Sequence, residues 1–331
     1  MLITTMLGFI EITPLHWAGF ILCILFFLAL DLGVFHRGAR VVKFKEALRW
    51  SVFWCILAML FAGALVPLRG REEGVEFITG YLIELSLSMD NVFIIALIFA
   101  FFRVPSIYQH RVLFWGILGA LVMRGAMILA GSEVIEHYQW TLYLMGAFIV
   151  FTGIKMMLSN HDEVEPEKSL VIRLARKCFP VADGDHGDKF IIRINGRTML
   201  TTLALVLLMV ETTDLIFALD SIPAIFAVTT KPFIVFTSNV FAILGLRSLY
   251  FVLAGAIDYF RYLKVGLSVV LIFIGAKMLV DPHGEGPHKW FQFEISTPVS
   301  LLVIAVILAT AMLLSIIAAK REHKTAADGR K

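Results

Sequence analysis

Five carboxylates interrupt two of the long apolar runs in this sequence. They are Glu84, Asp90, Glu211, Asp214 and Asp220. The first two lie in the run of residues 77–101, and the other three lie in the run of residues 199–228. If these runs cross a membrane, each carboxylate at the bilayer centre costs about 2.5–3.5 kcal/mol, so the five should not face lipid. We therefore expect them to converge on one buried, oxygen-rich site that binds a cation.

The two acidic stretches are copies of one pattern. Aligned without gaps, the octapeptide ELSLSMDN of residues 84–91 lies on DLIFALDS of residues 214–221. An acid stands at the first and the seventh position of both copies, and Asn91 matches Ser221 at the eighth. The shared spacing indicates an internal repeat whose copies contribute similar ligands.

The repeat extends beyond the acidic stretches. The run GIKMML of residues 153–158 matches GAKMLV of residues 275–280. Each unit therefore spans three predicted helices, in residues 77–158 and 199–281. Because three is an odd number, the second unit must enter the membrane from the opposite side. Inverted repeats are a transporter design in which the substrate binds near the midplane, between the two units.

The chemistry of these side chains favours a hard divalent cation. Carboxylate, amide, hydroxyl and carbonyl oxygens, without thiolates or imidazoles, suit Mn²⁺, Mg²⁺ or Ca²⁺. Further oxygen atoms could come from Asn91, Ser221, Asn239 and Asp31. Asn239 could equally form a hydrogen bond between helices, and Asp31 could be a helix-end charge. The alternative for the whole set is that the acids pair with Arg124 and Arg247 and only hold the bundle together. These arginines could be ion-pair partners, gating charges or packing residues.

Helix geometry sets a condition on a single site. On a straight helix the first acid and the last polar residue of each copy share one stripe, whereas Asp90 and Asp220 point about 120° away from it. One ion could contact both faces only if the helix unwinds locally or if a third helix crosses there. Pro223 favours unwinding, because it lacks an N–H group and clashes with the carbonyl of Leu219. Pro223 therefore supports local unwinding beside Asp220, and the crossing of a third helix stays open as the alternative.

The composition is typical of a membrane protein. Of 331 residues, 59% are hydrophobic and 17% are charged, and the mean hydropathy is +0.85. Soluble domains average about 25% charged residues. We predict an all-α polytopic fold whose nine membrane spans lie near residues 17–35, 50–68, 77–101, 112–131, 139–158, 200–228, 233–255, 262–280 and 299–319. The first span should be a retained helix, because no basic stretch precedes it and no small-residue cleavage site follows it.

The distribution of basic residues predicts the orientation. One set of alternating loops holds 21 of the 29 Lys and Arg residues, and the opposite set holds 4. Since basic loops stay in the cytoplasm, the N-terminus should lie outside and the C-terminus inside. The expected organisation is two N-terminal helices in 1–76, the first repeat in 77–158, a cytoplasmic loop in 159–198, the second repeat in 199–281, and a last helix with a basic tail in 282–331. The loop should be a solvated linker, although its acidic runs could attract cations.

The sequence disfavours several function classes. Its basic residues lie at helix ends without interleaved aromatic residues, so no nucleic-acid partner is expected. The three cysteines, Cys23, Cys55 and Cys178, are far apart and form neither a CxxC motif nor a disulfide framework. No pair of a nucleophile and a base with His or Cys falls in a predicted span, so an enzyme is not expected. No tightly bound cofactor is expected either.

Four long runs of this sequence match the pattern of one known family. They are GYLIELSLSMDNVF at 80–93, ETTDLIFALDSIPAIFAVT at 211–229, TSNVFAILGLR at 237–247 and ALDLGVFHR at 29–37. They resemble the TerC family of integral membrane proteins, and in particular its members associated with alkaline pH. The resemblance implies export of Mn²⁺ across the bacterial inner membrane, with the five acids named above required for transport. It also implies that relatives handle calcium or manganese in Golgi and chloroplast membranes, or accompany tellurite resistance.

Export of a divalent cation needs an energy source. Against an inside-negative potential it costs about 4.6 kcal/mol per 100 mV, at about 2.3 kcal/mol per charge. The sequence has no Walker A motif for ATP coupling, so the proton is the expected coupling ion. Clustered carboxylates would exchange protons for metal, because like charges in a low-dielectric site resist joint ionisation. Two rival functions stay open: export of Ca²⁺ or another divalent cation, and a scaffold or insertion factor linked to tellurite resistance.

Overall fold

The computed structural model describes most of the chain as a bundle of helices. The described residues are 12–35, 44–158, 177, 179–182, 184, 186–194, 196–254, 262–281, 293 and 295–328. Within them the nine α-helices are α1 (Pro14–Phe35), α2 (Phe44–Arg69), α3 (Arg71–Phe101), α4 (Ser106–His137), α5 (Thr141–Leu158), α6 (Thr202–Phe226), α7 (Pro232–Ala254), α8 (Leu263–Val280) and α9 (Thr297–Asp328). Each helix overlaps one predicted span, so the all-α polytopic fold is confirmed.

Membrane-spanning character is clear for most of these helices. Among the described residues, eight helices, α2 to α9, are long and apolar enough to cross a membrane. The remaining helix, α1, contributes a shorter apolar stretch, Pro14–Ala29. The prediction of nine spans is thus met by eight full-length candidates and one shorter apolar helix.

A β-hairpin precedes α6, where the sequence predicted only a solvated linker. Strands β1 (Ile191–Ile194) and β2 (Arg197–Leu200) pair antiparallel, with Ile191 opposite Leu200. Gly196 takes a φ of 79°, which glycine adopts without strain. The signal was present, because Asn-Gly between two alternating apolar runs is the strongest short-range mark of a hairpin. The acidic run of residues 160–167 lies outside the described residues.

The predicted break beside Asp220 is absent. Helix α6 is continuous from Thr202 to Phe226 and contains Pro223. The prediction of unwinding was therefore wrong. Pro223 stands in the last turn of the helix, where it removes a single hydrogen bond. Neighbouring helices α3, α4 and α5 pack along α6, and such packing lets membrane helices keep their course through proline.

Helix α7 is the most enclosed of the candidate spans. In its most apolar window 83% of the residues are buried, because α2, α3 and α4 all pack against it. Asn239 is 1% exposed and Arg247 is 4% exposed. These polar side chains are thus kept away from lipid, as their cost in hydrocarbon requires.

The two three-helix units pack as inverted copies. In the repeat alignment Gly153 of α5 corresponds to Gly275 of α8. A Cβ at Gly153 would lie 3.0 Å from the carbonyl oxygen of Ser268, and a Cβ at Gly275 would lie 2.7 Å from the carbonyl oxygen of Gly146. The same alignment matches Gly146 to Ser268, so the repeat exchanges one contact with the other. This is the relation that a two-fold axis between antiparallel helices α5 and α8 produces.

The close approach of α5 and α8 should make Gly275 intolerant of a side chain. In Gly275→Ala the new methyl group meets the carbonyl oxygen of Gly146 and the backbone nitrogen of Val150, the latter at 2.8 Å. We therefore expect the free energy of unfolding to fall by about 1–3 kcal/mol. Thermal unfolding in detergent, followed by tryptophan fluorescence, measures it. Gly63→Ala is the control, because nothing lies within 4 Å of that position. Equal melting temperatures for the two variants would contradict this account of the interface.

Candidate functional site

A buried arginine joins three helices at the centre of the bundle. Arg124 on α4 is 2% exposed. Its Nε and Nη2 donate to the two carboxylate oxygens of Asp214 on α6, at 3.1 and 2.8 Å. Its Nη1 donates to Oε1 of Glu84 on α3, and also to Oγ of Ser221 at 3.4 Å. The two acids that the repeat aligned with each other, Glu84 and Asp214, therefore share one guanidinium.

The residue type suits this position. A guanidinium is planar and carries five N–H donors, so it can bind one carboxylate with two parallel hydrogen bonds and still reach a second. Arg124 has no acceptor of its own and stays charged, which means that its counter-charges must come from the neighbouring helices. With both acids ionised, the group of Glu84, Asp214 and Arg124 carries a net charge of −1.

The other two acids of α6 lie against different helices. Glu211 faces α4 at Gly119, where a Cβ would overlap its carboxylate. The absent side chain of Gly119 thus makes the room that Glu211 occupies. Asp220 faces α5, since its Oδ1 accepts a hydrogen bond from the hydroxyl of Thr152 at 3.1 Å. Helix α5 thus crosses beside Asp220. A crossing helix was the alternative to unwinding as a way for one ion to contact both faces of the helix.

A stripe of α3 carries buried oxygen atoms that lack hydrogen-bond partners. The side chains of Glu84, Ser88 and Asn91 are each 0–3% exposed, and they follow one another at helical spacing. Glu84 Oε2, Ser88 Oγ and Asn91 Oδ1 have no partner among the described residues. On α7, neither the oxygen nor the nitrogen of the Asn239 amide has one. Buried polar atoms are nearly always satisfied in folded proteins, so these positions are suited to a polar guest.

The remaining predicted positions are placed less closely. Asp90 is half-buried on α3, and Arg247 is buried on α7. Asp31 falls within α1, and its side chain lies outside the described part of the structure. Asn91, Ser221 and Asn239 are all buried, and their role as supporting ligands stays a prediction.

The five carboxylates do not form the one shared cluster that the sequence predicted. Among the described residues, no three side chains of His, Cys, Asp or Glu are grouped so that they could hold a metal ion. The reason is geometric. Two acids are occupied by Arg124, and because the helix stays straight, Asp220 turns to α5 instead. Glu84 and Asp214 share one guanidinium, whereas Glu211 and Asp220 lie against other helices, so the expectation of one shared cluster is wrong for the five carboxylates. Their role in binding metal stays a prediction.

Sequence reasoning missed a second charged network at one end of α3. Glu73 and Glu76 are 6% and 5% exposed. Lys231, in the connection between α6 and α7, lies 3.4 Å from Glu73 and 3.2 Å from Glu76. Thr229 donates to Glu76 at 2.9 Å, and Arg69 donates to both oxygens of Glu73. The network borders a cavity of about 380 Å³ that is lined otherwise by apolar side chains.

A signal for this network was available in the sequence. Glu73 and Glu76 are three residues apart, the spacing of neighbouring side chains on one helix face, and the basic Arg69 stands just before them. The hydropathy pattern starts the predicted span only at residue 77 and therefore places these residues in the preceding loop. In the structure α3 starts at Arg71, so both acids belong to the helix and point into the bundle.

Comparison with known proteins places the chain among membrane proteins. A family model described as "Integral membrane protein TerC family" matches residues 69–323. An uncharacterized membrane protein of Myxococcus xanthus, STKORF319, is 50% identical over 96% of this chain and 97% of its own length. Proteins of Salmonella typhi and Escherichia coli strain K12 that bear the name "Putative membrane-bound redox modulator Alx" are each 48% identical, over 81% of this chain and 86% of theirs. No solved structure matches the chain significantly.

Removal of one partner from the central ion pair should be costly. We expect Arg124→Gln to lower the free energy of unfolding by about 3–5 kcal/mol, because it leaves Glu84 and Asp214 buried without a counter-charge. Asp214→Asn should cost less, about 1.5–3 kcal/mol, because it weakens the hydrogen bonds to the guanidinium while Glu84 still neutralises Arg124. The double variant should lose less than the sum, by about 1–3 kcal/mol, since the two residues are in contact. Unfolding in detergent with a chelator present measures all three. The exposed Arg197, changed to Gln, is the control, and strict additivity would contradict the pairing.

Proposed function

The chain belongs to the TerC family of integral membrane proteins, and from this premise we propose that it is a secondary transporter. The proposed substrate is Mn²⁺, exported from the cytoplasm in exchange for protons. The proposed location is the bacterial inner membrane, with the N-terminus outside and the C-terminus in the cytoplasm. The strong bias of Lys and Arg toward one set of loops supports that orientation.

One observation carries the proposal. In the interior of two inverted repeats, Glu84, Ser88 and Asn91 present buried oxygen atoms for which the described residues supply no partner. An unsatisfied buried polar group costs about 1–3 kcal/mol, so a chain that needed only a stable bundle would gain from apolar residues here. Oxygen atoms of carboxylate, hydroxyl and amide groups are the ligands that Mn²⁺ accepts. Their arrangement along α3 supports a route for a hard cation through the bundle.

Inverted packing supports alternating access. Helices α5 and α8 cross at the two-fold axis, where Gly146 and Gly275 bring the two backbones together. The units on either side of such an axis can rock against each other, exposing a central site to one side of the membrane and then to the other. The carboxylates of the two acidic stretches would accept Mn²⁺ from the cytoplasm and release it when protons arrive from outside.

Manganese content in cells tests the function and the acids together. A strain lacking the gene should accumulate manganese, and the wild-type gene should restore the normal content. Asp90→Asn and Asp220→Asn should each fail to do so, because an amide can neither hold the charge of Mn²⁺ nor exchange a proton with it. Glu133→Gln makes the same chemical change on a side chain that is 71% exposed, and it should restore the content.

The cellular result also separates the rival functions. A scaffold or insertion factor would tolerate the amide variants at Asp90 and Asp220, so rescue by both would refute the transport role of these acids. Ca²⁺ is a substrate of the same ligand chemistry. Competition between Ca²⁺ and Mn²⁺ in liposomes that contain the purified protein decides which ion is carried.

Proton coupling has its own measurement. In liposomes that contain the purified protein, we expect Mn²⁺ efflux to become faster when the proton concentration is higher on the outside. Protons then move inward down their gradient while Mn²⁺ moves outward. If two protons exchange for one Mn²⁺, an imposed voltage should have no effect, because no net charge crosses the membrane. A Mn²⁺ flux that depends on neither the pH gradient nor the voltage would contradict proton coupling. It would not contradict the proposed binding site.

A further inference from the structure

We propose that Arg124 is a tethered counter-cation, which occupies the binding position between Glu84 and Asp214 and exchanges places with the transported dication. The inference rests on the proposed function and deepens it, because it assigns one residue the task of holding the empty site. The guanidinium stands where the substrate would stand. Binding of the dication to these two carboxylates then requires the guanidinium to leave them.

The hydrogen bonds of Arg124 support this occupancy. Three of the four carboxylate oxygens of the pair, Glu84 Oε1 and both oxygens of Asp214, accept N–H groups from it. The hydroxyl of Ser221, a fourth oxygen from the repeat-related stripe, is also within reach at 3.4 Å. These are the atoms that a hard cation would choose as ligands. A metal ion cannot use them while the guanidinium does.

Charge makes the two occupants exclusive. The pair of carboxylates carries −2, so a dication alone neutralises it, whereas Arg124 alone leaves −1. A dication and the guanidinium together would place +3 against −2 in a site that is 0–8% exposed. Like charges at contact distance repel strongly at low dielectric, so the site holds one cation at a time.

The interior offers the displaced guanidinium new acceptors. Ser88 Oγ and Asn91 Oδ1 lie on the same stripe of α3 as Glu84, one and two turns further along, and both are buried without a partner among the described residues. A guanidinium has only donors, and these two groups can accept from it. Within the proposal, these two groups accept the displaced guanidinium, since they lie on the stripe that Arg124 already contacts at Glu84.

A permanent clamp is the competing account of Arg124. In that account the arginine never leaves its two acids, and the substrate binds to other groups. The accounts differ in what removal of the guanidinium does to metal affinity. Exchange predicts that affinity rises, because a competitor has been removed. A clamp predicts that stability falls and affinity stays unchanged.

Manganese titration of purified protein in detergent tests the exchange. Each variant is first stripped with a chelator that is then removed, and Mn²⁺ binding is measured by calorimetry and by the shift in melting temperature. Without metal, we expect Arg124→Gln to have a lower melting temperature than the wild type. Added Mn²⁺ should raise its melting temperature by more than it raises that of the wild type, and the variant should bind Mn²⁺ at least about tenfold more tightly. The added change Asp214→Asn should abolish that gain.

Two controls and a milder variant guard the interpretation. Gly266→Ala puts a methyl group 2.5 Å from Cβ of Ala311 on α9 and so destabilises the protein without any change of charge, and Arg197→Gln changes the charge on an exposed strand. Both should bind Mn²⁺ as the wild type does. Arg124→Lys keeps the charge and loses the planar fork, so its affinity should lie between those of wild type and Arg124→Gln. If Arg124→Gln does not fold, Arg124→Lys decides the question alone, and a wild-type affinity overturns the proposal.

The outcomes separate this proposal from the function on which it rests. Wild-type protein that binds Mn²⁺ while Arg124→Gln binds it equally well overturns the exchange and leaves the transporter standing. Absence of Mn²⁺ binding in both proteins overturns the Mn²⁺ transporter, and the exchange falls with it. Tighter binding in Arg124→Gln that survives the change of Asp214 would place the site elsewhere and would also overturn the exchange.

Discussion

A charge that is enclosed away from water must keep its counter-charges within contact distance, and this constraint governs the interior of the bundle. Arg124 is nearly inaccessible, and its partners come from two other helices. Separation of α3, α4 and α6 would expose an uncompensated charge to hydrocarbon. The three helices can therefore move apart only if another cation, or protons on the carboxylates, takes over the neutralisation. The same contact that holds the bundle together makes its motion dependent on ions.

This contact breaks the symmetry of the repeats at their centre. Glu84 and Asp214 occupy equivalent positions in the two units, as the octapeptide alignment shows. The guanidinium between them belongs to the first unit alone. The second unit has a buried arginine of its own, Arg247, on α7, the most enclosed of the candidate spans. The two halves thus share a scaffold but differ in the residue that neutralises their common site.

The sequence predicted the fold well, because the length of an apolar run reports directly on a membrane span. It also predicted the inverted repeat, since Gly153 and Gly275 stand at equivalent positions and pack as the axis requires. It failed where side chains choose between partners. Nothing in the spacing of the acids tells whether Asp214 faces a metal ion or Arg124, because both neutralise it. Pro223 misled for a related reason: its local preference was overruled by the neighbouring helices, which no pattern in α6 reveals.

The network of Glu73, Glu76 and Lys231 makes the two ends of the bundle chemically different. At the positions that the repeat relates to these acids stand Leu203 and Val206, which pack into an apolar cluster with Phe99 and Val104. One end of the bundle is thus held by ion pairs, and the other end is held by contacts between apolar side chains. Acid weakens the first kind of contact, because protonation removes the charges of the paired carboxylates, and cooling weakens the second. Although the protein is built from two copies of one unit, the stability of its two ends therefore depends on different solution conditions.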